Sequence, residues 1–433
     1  MSTTTRMYGV PDPAIDPARV VETYRRHVGR GRARLAAMTG AVTEVASFGA
    51  HVWDSTGRQY LDCGGYGVFL LGHAHPDVTE AVVTQIRRHP LATRMLLEPT
   101  VATAAASLAG VTPDGLDYVH FVTSGAEATE TAIKLARAHG KHILVSAHGG
   151  YHGKTTGALA LTAKPVFQDP FRPLLATIHV PYGDADSLAD VLAAHASRAC
   201  VVVEPVQGEG GVIAAPPGYL TRVQQLCRAH DAMFVLDEVQ TGLGRLGSWW
   251  GADLDGLRPD VLLVGKSLSG GIIPVAAAVA TAEAYAPFDS DPFLHTSTFA
   301  AAPLAMAAAS AAVRVIARDG LAARAAELGQ RIRAMLDDAF AGLRGDVVTD
   351  IRGRGLLLGI ELADEALAGQ LMLYLLEAGV IVNHSLNAHR VVRLTPPAVM
   401  TNRDLDELGQ ALIGAARQLA RHIPPYGRAT RHA

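Results

Sequence analysis

Between about residue 117 and residue 282 the chain alternates short, uninterrupted apolar runs with longer stretches of mixed polarity. The runs are YVHFV, HILVSA, ATIHV, ACVVVEP, AMFVLDE, DVLLVG and VAAAVAT. Apolar residues on consecutive positions, many of them β-branched, predict strands covered on both faces. Between them, Ala126 to His139, Asp184 to Ala194 and Tyr219 to His230 repeat apolar residues at helical spacing. Strands alternating with helices predict an α/β fold, with a large domain over 61–318 built on a mostly parallel, seven-stranded sheet.

After about Asp319 the pattern changes. A helix is expected over Leu321 to Phe340, strands at VVTDI and LLLGIEL, a helix over Glu365 to Ala378, short strands at VIVN and VVRLT, and a last helix from Asn402. This predicts a smaller α+β domain over 319–433. Residues 1–60 predict one helix, Pro17 to Met38, and two short strands turning at Asp54-Ser55-Thr56-Gly57, packed with the C-terminal unit. Phe299 to Ala312 is mainly alanine and carries Pro303 and Ser310, which suits a tightly packed buried helix better than a membrane span.

Composition narrows the partners. The 433 residues are 49% hydrophobic and 18% charged, the profile of a soluble globular protein. Lys and Arg number 38 against 41 acidic groups, without a basic stripe, so no nucleic-acid partner is expected. Cys63, Cys200 and Cys227 are too scattered for a disulfide framework or a metal knuckle, and a reducing cytoplasm is the expected location. The opening residues lack a basic region followed by an apolar stretch, so no secretory signal is expected. His73 and His75 in GHAHPDV have no companion ligands and read as loop histidines; no metal is expected.

Only five lysines occur: Lys134, Lys141, Lys154, Lys164 and Lys266. Lys266 follows the run DVLLVG, at a carboxyl strand end where ligands of parallel sheets collect. An amine that loses its proton there can form a Schiff base, which arginine cannot. The position also fits a lysine snorkelling at a strand end. Asp237 ends the run Met233 to Leu236, where a carboxylate is costly unless paired. A protonated pyridine nitrogen is one such partner; a turn cap is the other reading. Thr123-Ser124-Gly125-Ala126-Glu127 joins the strand YVHFV to a helix, and free N–H groups there can cradle phosphate. Ser124 with Glu127 also reads as a plain capping box. Taken together, the three anchors match the phosphate, ring nitrogen and aldehyde of pyridoxal 5'-phosphate.

The segments SGAEATETAIKLAR, YHGKTTGALALTAK, EPVQGEGG, LDEVQTGLGRLG, GKSLSGG and LHTSTFAAAPLA resemble those of the class III (omega) aminotransferases, which have the fold type I architecture of pyridoxal-phosphate transferases. The resemblance implies that Lys266 carries the cofactor aldehyde as a Schiff base and that Asp237 pairs with the pyridine nitrogen. It implies that Ser124, Gly125 and Ala126 hold the phosphate, that Tyr151 stacks on the ring beside His152, and that Val239 closes the other face. Gln240 is expected at the ring hydroxyl, and Glu204 completes the cofactor site. Thr298 is the second phosphate contact, given across the interface of a homodimer. Arg393 is expected to grip a substrate carboxylate and Glu209 to pair with it when the substrate has none.

Within the family, GGYGVFLLGHAHP, DPFLHTSTF and SLNAHRVVRLTPP are most similar to putrescine aminotransferases. Two departures stand out: Ala300-Ala301-Ala302-Pro303 replaces Gly-Gly-Asn-Pro, and Ser269-Gly270-Gly271 replaces a glycine run. The expected reaction passes the amino group of a diamine or ω-amino acid to a keto acid such as 2-oxoglutarate or pyruvate, in ping-pong order. Ornithine, acetylornithine or a specialised-metabolite amine is the alternative donor. An aminomutase needing no acceptor, and a catalytically silent cofactor-binding dimer, are readings from other classes.

Overall fold

The computed structural model describes residues 15–422. Its central sheet has seven strands, in spatial order Tyr118–Val122, Ala276–Ala280, Val261–Val264, Met233–Asp237, Ala199–Val203, Ile143–Ala147 and Thr177–Val180. These are the seven apolar runs. Ala276–Ala280 is antiparallel to both of its neighbours, and the other strands share one direction.

Successive side chains of a strand point to opposite faces, and here the two faces feed separate cores. Val201, Val203, Phe234, Leu236, Leu262 and Val264 join one cluster. Cys200, Val202, Met233, Val235, Val261 and Leu263 join the other, against Ala128, Ala132, Ile133 and Leu135 of the helix Gly125–Ala138. Double coverage explains why the runs are apolar throughout instead of alternating.

The helix expected from Phe299 starts later, at Pro303, and runs to Arg318. Proline is favoured at the first helical position because its missing N–H has no intrahelical partner there, and Phe299–Ala302 forms a turn instead. The helix is buried along most of its length, packed on Pro76–Arg88 and Pro99–Ala109. Among the described residues no helix is long and apolar enough to cross a membrane.

Towards the C-terminus, Val348–Arg354, Leu357–Leu362, Val391–Leu394 and Asn383–His384 make an antiparallel sheet, with helices Leu321–Ala339, Glu365–Glu377 and Asn402–Leu419. The run VIVN is not one strand. Val380–Ile381 pairs in parallel with Gln59–Asp62, next to His51–Asp54 and Glu44–Phe48, while Asn383–His384 pairs with Val391–Leu394. The chain thus changes sheet across buried Val382. The single helix expected over Pro17 to Met38 is divided into Pro17–Thr23, a π-turn Tyr24–Val28 and Arg30–Met38, with the break at Gly29, a poor helix former.

Candidate active site

Parallel strands gather their carboxyl ends along one edge, where ligands of such sheets bind. Asp237 is the last residue of Met233–Asp237, in register with Leu263 of the neighbouring strand. Lys266 lies just beyond Val261–Val264, Ser124 beyond Tyr118–Val122, Tyr151 and His152 beyond Ile143–Ala147, and Glu204 directly after Ala199–Val203. Residues scattered over the chain therefore meet. Gly125, Ala126, Tyr151, His152, Glu204, Glu209, Asp237, Val239, Gln240 and Lys266 line one cavity of about 240 Å³.

Lys266 opens a short 3-10 turn with its backbone in the left-handed region, φ +44°. That region costs a non-glycine residue roughly 1–2 kcal/mol. Its amine is pushed below the ordinary lysine value mainly by burial, with Glu209 opposing and Arg393 adding to the shift. A buried amine biased towards its neutral form can act as a nucleophile and proton carrier.

Each carboxylate oxygen of Asp237 has one protein partner, which leaves it further acceptor capacity. Oδ2 lies 2.7 Å from His152 Nδ1, and Oδ1 accepts from Val239 N at 3.0 Å. Burial works to lower the His152 pKa, but the hydrogen bond and charge of Asp237 prevail and the imidazole ends above its ordinary value. His152 is fixed in turn: its N–H donates to Thr162 Oγ1 at 2.9 Å and its carbonyl accepts from Thr129 Oγ1 at 2.9 Å. Glu204 accepts from Tyr151 N at 3.0 Å, and burial pushes its carboxyl up to about 7 against the opposing charge of His152.

A second ion pair joins Glu209 on the cavity wall to Arg393 of the C-terminal sheet, which is not itself among the lining residues. Arg393, on Val391–Leu394 and 0% exposed, lies 2.6 Å from Glu209 Oε1 and 3.4 Å from Gln240 Oε1. Glu209 Oε2 accepts from Leu386 N at 2.8 Å. Arg393 Nε and Nη2 are buried without a partner among the described residues. Unsatisfied buried donors are rare and expensive, and a carboxylate is the group that matches a guanidinium edge.

Ser124 caps the helix Gly125–Ala138, accepting from Glu127 N at 3.3 Å. The expected capping box is not formed: Glu127 turns to Thr123, accepting from its N–H at 2.7 Å and its hydroxyl at 2.5 Å. Gly125 packs against Val239, where a Cβ would fall 2.8 Å from Cγ1. At Gly208 a Cβ would lie 1.6 Å from Gln240 Oε1, so only glycine leaves that amide its place. Thr298 stands apart, exposed in a turn and outside the cavity lining.

His73 and His75 have structural partners. His73 Nε2 lies 2.8 Å from Asp62 Oδ2 and its ring stacks on Phe69; His75 Nδ1 accepts from Asp77 N at 3.3 Å. His51, Asp404 and Glu407 bring ligand atoms within 4.8 Å of one another, but Asp404 is already engaged by Thr401 as the cap of the last helix. Sequence reasoning missed Gly153 and Lys154, which also line the cavity. It also missed Arg245. That side chain is 0% exposed and donates to the carbonyls of Gly67 at 3.2 Å, Leu356 at 3.2 Å and Pro396 at 2.6 Å. Burial brings its pKa down to about 9. An arginine inside the glycine-rich run GLGRLG was the available signal.

The sequence matches the family described as aminotransferase class-III over residues 36–415. The chain belongs to the class III aminotransferases. It is similar to the ornithine aminotransferase of Toxoplasma gondii, at 30% identity and TM-score 0.86 over 94% of this chain and 97% of that one. A second structure of that enzyme, at 32% identity and TM-score 0.82 over 88% and 91% of the chains, is described as having partial occupancy of PLP at its active site. An (S)-enantioselective omega-transaminase from Thermomicrobium roseum is 27% identical, with TM-score 0.80 over 87% and 93%.

The fold is type I, and the protein is a pyridoxal-phosphate-dependent transaminase. The residues present fit the cofactor: a buried amine, a buried carboxylate and a helix N-terminus packed closely through Gly125 stand around one cavity.

Proposed function

We propose that the enzyme moves the amino group of a terminal amine, a putrescine-like diamine or an ω-amino acid, to a keto acid such as 2-oxoglutarate or pyruvate. The observation that carries this reading is the Glu209–Arg393 pair with two unpartnered guanidinium nitrogens. With Glu209 in place, Arg393 is neutralised and an amine without a carboxylate can lie against the pair. When Glu209 turns away, the same guanidinium takes an acceptor carboxylate. One pocket thereby serves both partners in turn, as a ping-pong sequence requires.

When bound, the cofactor supplies an aldehyde that takes up the amine and a ring that accepts the electrons left by a departing proton. Lys266 would hold that aldehyde until the substrate amine takes its place, and its freed amine, biased towards the neutral form, would then carry the proton taken from the carbon bearing nitrogen. Asp237 keeps the ring nitrogen protonated, and His152 holds the Asp237 carboxylate in orientation. Ser124, Gly125 and Ala126 offer the helix N-terminus to the phosphate. Tyr151, Val239 and Gln240 line the cavity and would hold the ring, while Glu204 fixes the backbone that presents Tyr151.

The working unit is a homodimer in which Thr298 serves the partner subunit. Thr298 is outside the cavity of its own chain, and Met95, Leu97 and Phe293 are 88%, 103% and 84% exposed. Arg94 links the two segments by donating to Ser297 O. Apolar exposure of that kind suits burial against a second copy. A reducing cytoplasm agrees with three cysteines that are all free and buried. An ornithine-type donor is the second reading, favoured by the similarity to the ornithine aminotransferase.

The test is a panel of putrescine, cadaverine, ornithine and 4-aminobutyrate, each followed through its half-reaction by the change in cofactor absorbance. Putrescine is expected to react with the highest kcat/KM. A clear preference for ornithine would establish the second reading instead, and turnover without any keto acid would point to an aminomutase.

A further inference from the structure

The segment that carries Thr298 is exposed along most of its length, yet one of its side chains is held on several sides. His295 Nε2 lies 3.0 Å from Thr131 Oγ1, and Nδ1 lies 3.1 Å from Lys134 Nζ. Lys134 Nζ also donates to Leu294 O at 2.8 Å. Thr131 Oγ1 donates to Glu127 O at 2.9 Å, so its oxygen is left to accept from His295 Nε2–H. The lysine ammonium has only protons to give, so Nδ1 must accept. Both contacts therefore select the same neutral tautomer. Burial, with Lys134 adding and Glu127 opposing, lowers the His295 pKa in agreement. His120 stacks on the ring at 5.0 Å between centroids, and Phe288 packs at 5.5 Å.

Three of these partners lie on the two elements that meet at Ser124. His120 belongs to the strand Tyr118–Val122 that leads into Ser124. Thr131 and Lys134 belong to the helix Gly125–Ala138 that starts at the cradle, with Thr131 about 9 Å along the axis from Gly125. One helix thus presents its N-terminus to the phosphate of its own subunit and, on its flank, holds the segment proposed to reach the neighbour's.

We propose that His295 is a positioning residue that sets the Thr298 segment for the partner subunit's phosphate, joining phosphate binding in one site to the helix that binds phosphate in the other. The proposal rests on the reading that Thr298 acts across the dimer. Its consequence is that loss of His295 acts in trans: the site that weakens is the one in the other chain.

Mixed dimers test this, made from two differently tagged chains of which one carries Lys266→Ala, so that only the lysine-bearing site is read. The dissociation constant of pyridoxal 5'-phosphate at that site is measured by visible absorbance, and dimer mass is checked by native mass spectrometry. His295→Ala on the Lys266→Ala chain should weaken binding about tenfold, the worth of one or two hydrogen bonds. On the lysine-bearing chain it should change binding by less than about twofold. His295→Gln, which can still donate towards Thr131, should recover part of the loss. Thr131→Val is the second route if His295→Ala fails to assemble, and it should show the same trans pattern. A loss confined to cis, or no loss in trans for both variants, overturns the proposal. Thr298→Ala in the same two formats separates the causes. If it too has no trans effect, the dimer reading itself fails; if it weakens binding in trans while the His295 and Thr131 variants do not, the proposal alone fails.

Discussion

Asp237–His152 and Glu209–Arg393 are both buried ion pairs on one cavity, and they differ in how completely their polar atoms are used. At Asp237 each carboxylate oxygen has a partner, and His152 is held by Thr162 and Thr129 through its backbone. At Arg393 two of the three guanidinium nitrogens have none. A network in which both partners are held by several further bonds resists rearrangement, because any movement exposes a charge to a medium that cannot solvate it. A partly satisfied one has a second favourable arrangement as soon as a matching group arrives. On the proposed reading the first pair stays, and the second exchanges its partner.

The sharpest way to break this contrast is at the residue between the pairs. Lys266→Ala should reduce turnover by roughly 10⁴-fold while leaving both pairs in place, read as single-turnover rates beside a circular dichroism spectrum. A folded variant with near-normal rates would remove the lysine from the chemistry.

Next in size is Arg393→Ala. It should slow the keto-acid half-reaction by about 10²–10³-fold and destabilise the protein by about 3 kcal/mol, since Glu209 is left buried without its cation. The amine half-reaction should change by only a few-fold. Equal loss in both halves, measured by stopped-flow absorbance, would show that the pair does not exchange partners.

Glu238 sharpens the comparison from the neighbouring position. Its carboxyl is buried beside Asp237 but has only hydrogen bonds, from Ala252 N at 2.7 Å and Thr241 Oγ1 at 2.5 Å. Burial raises its pKa from 4.5 to about 7. A raised folded-state pKa means that the folded protein holds a proton which the unfolded chain has released. The associated stability is fully present below about pH 4.5 and is lost as pH rises through about 7. The difference is on the order of 3 kcal/mol. His152 and Glu204, both raised, contribute with the same sign. Glu238→Gln should flatten, without abolishing, the fall in unfolding free energy between pH 5 and 8; an unchanged slope would show that Glu238 does not titrate there.

The smallest effect belongs to the Thr298 segment. Ala301 has φ +55°, in the left-handed region, at one of the positions where the family usually has glycine. Ala301→Gly should raise stability by about 0.5–1 kcal/mol in thermal unfolding, as relief of strain outweighs the added freedom of the unfolded chain. Neither half-reaction should change, which makes this variant a control for those at Lys266 and Arg393.

The seven strands were legible because double burial writes itself as consecutive apolar residues, and the strand-end positions of Lys266 and Asp237 because a lone polar group is conspicuous there. The division at Gly29 was not, since apolar spacing continues on both sides of it. The split of VIVN between two sheets depends on which strands lie next to it, which no local pattern records. Glu127 shows the same limit at a single residue: its spacing from Ser124 fits a capping box, and the neighbouring hydroxyl of Thr123 takes its carboxylate instead.

By itself, the sequence determined the α/β class, through the period of its apolar runs, and the family, through the resemblance of its motifs. Tertiary structure alone decided that Arg393, paired with Glu209 as the resemblance implied, keeps two further donors without a partner among the described residues, that His152 holds Asp237, and that His295 is fastened to the helix Gly125–Ala138. Those contacts join residues far apart in the chain, and their energies arise from burial and satisfied or unsatisfied donors, quantities that exist only once the strands have been brought together.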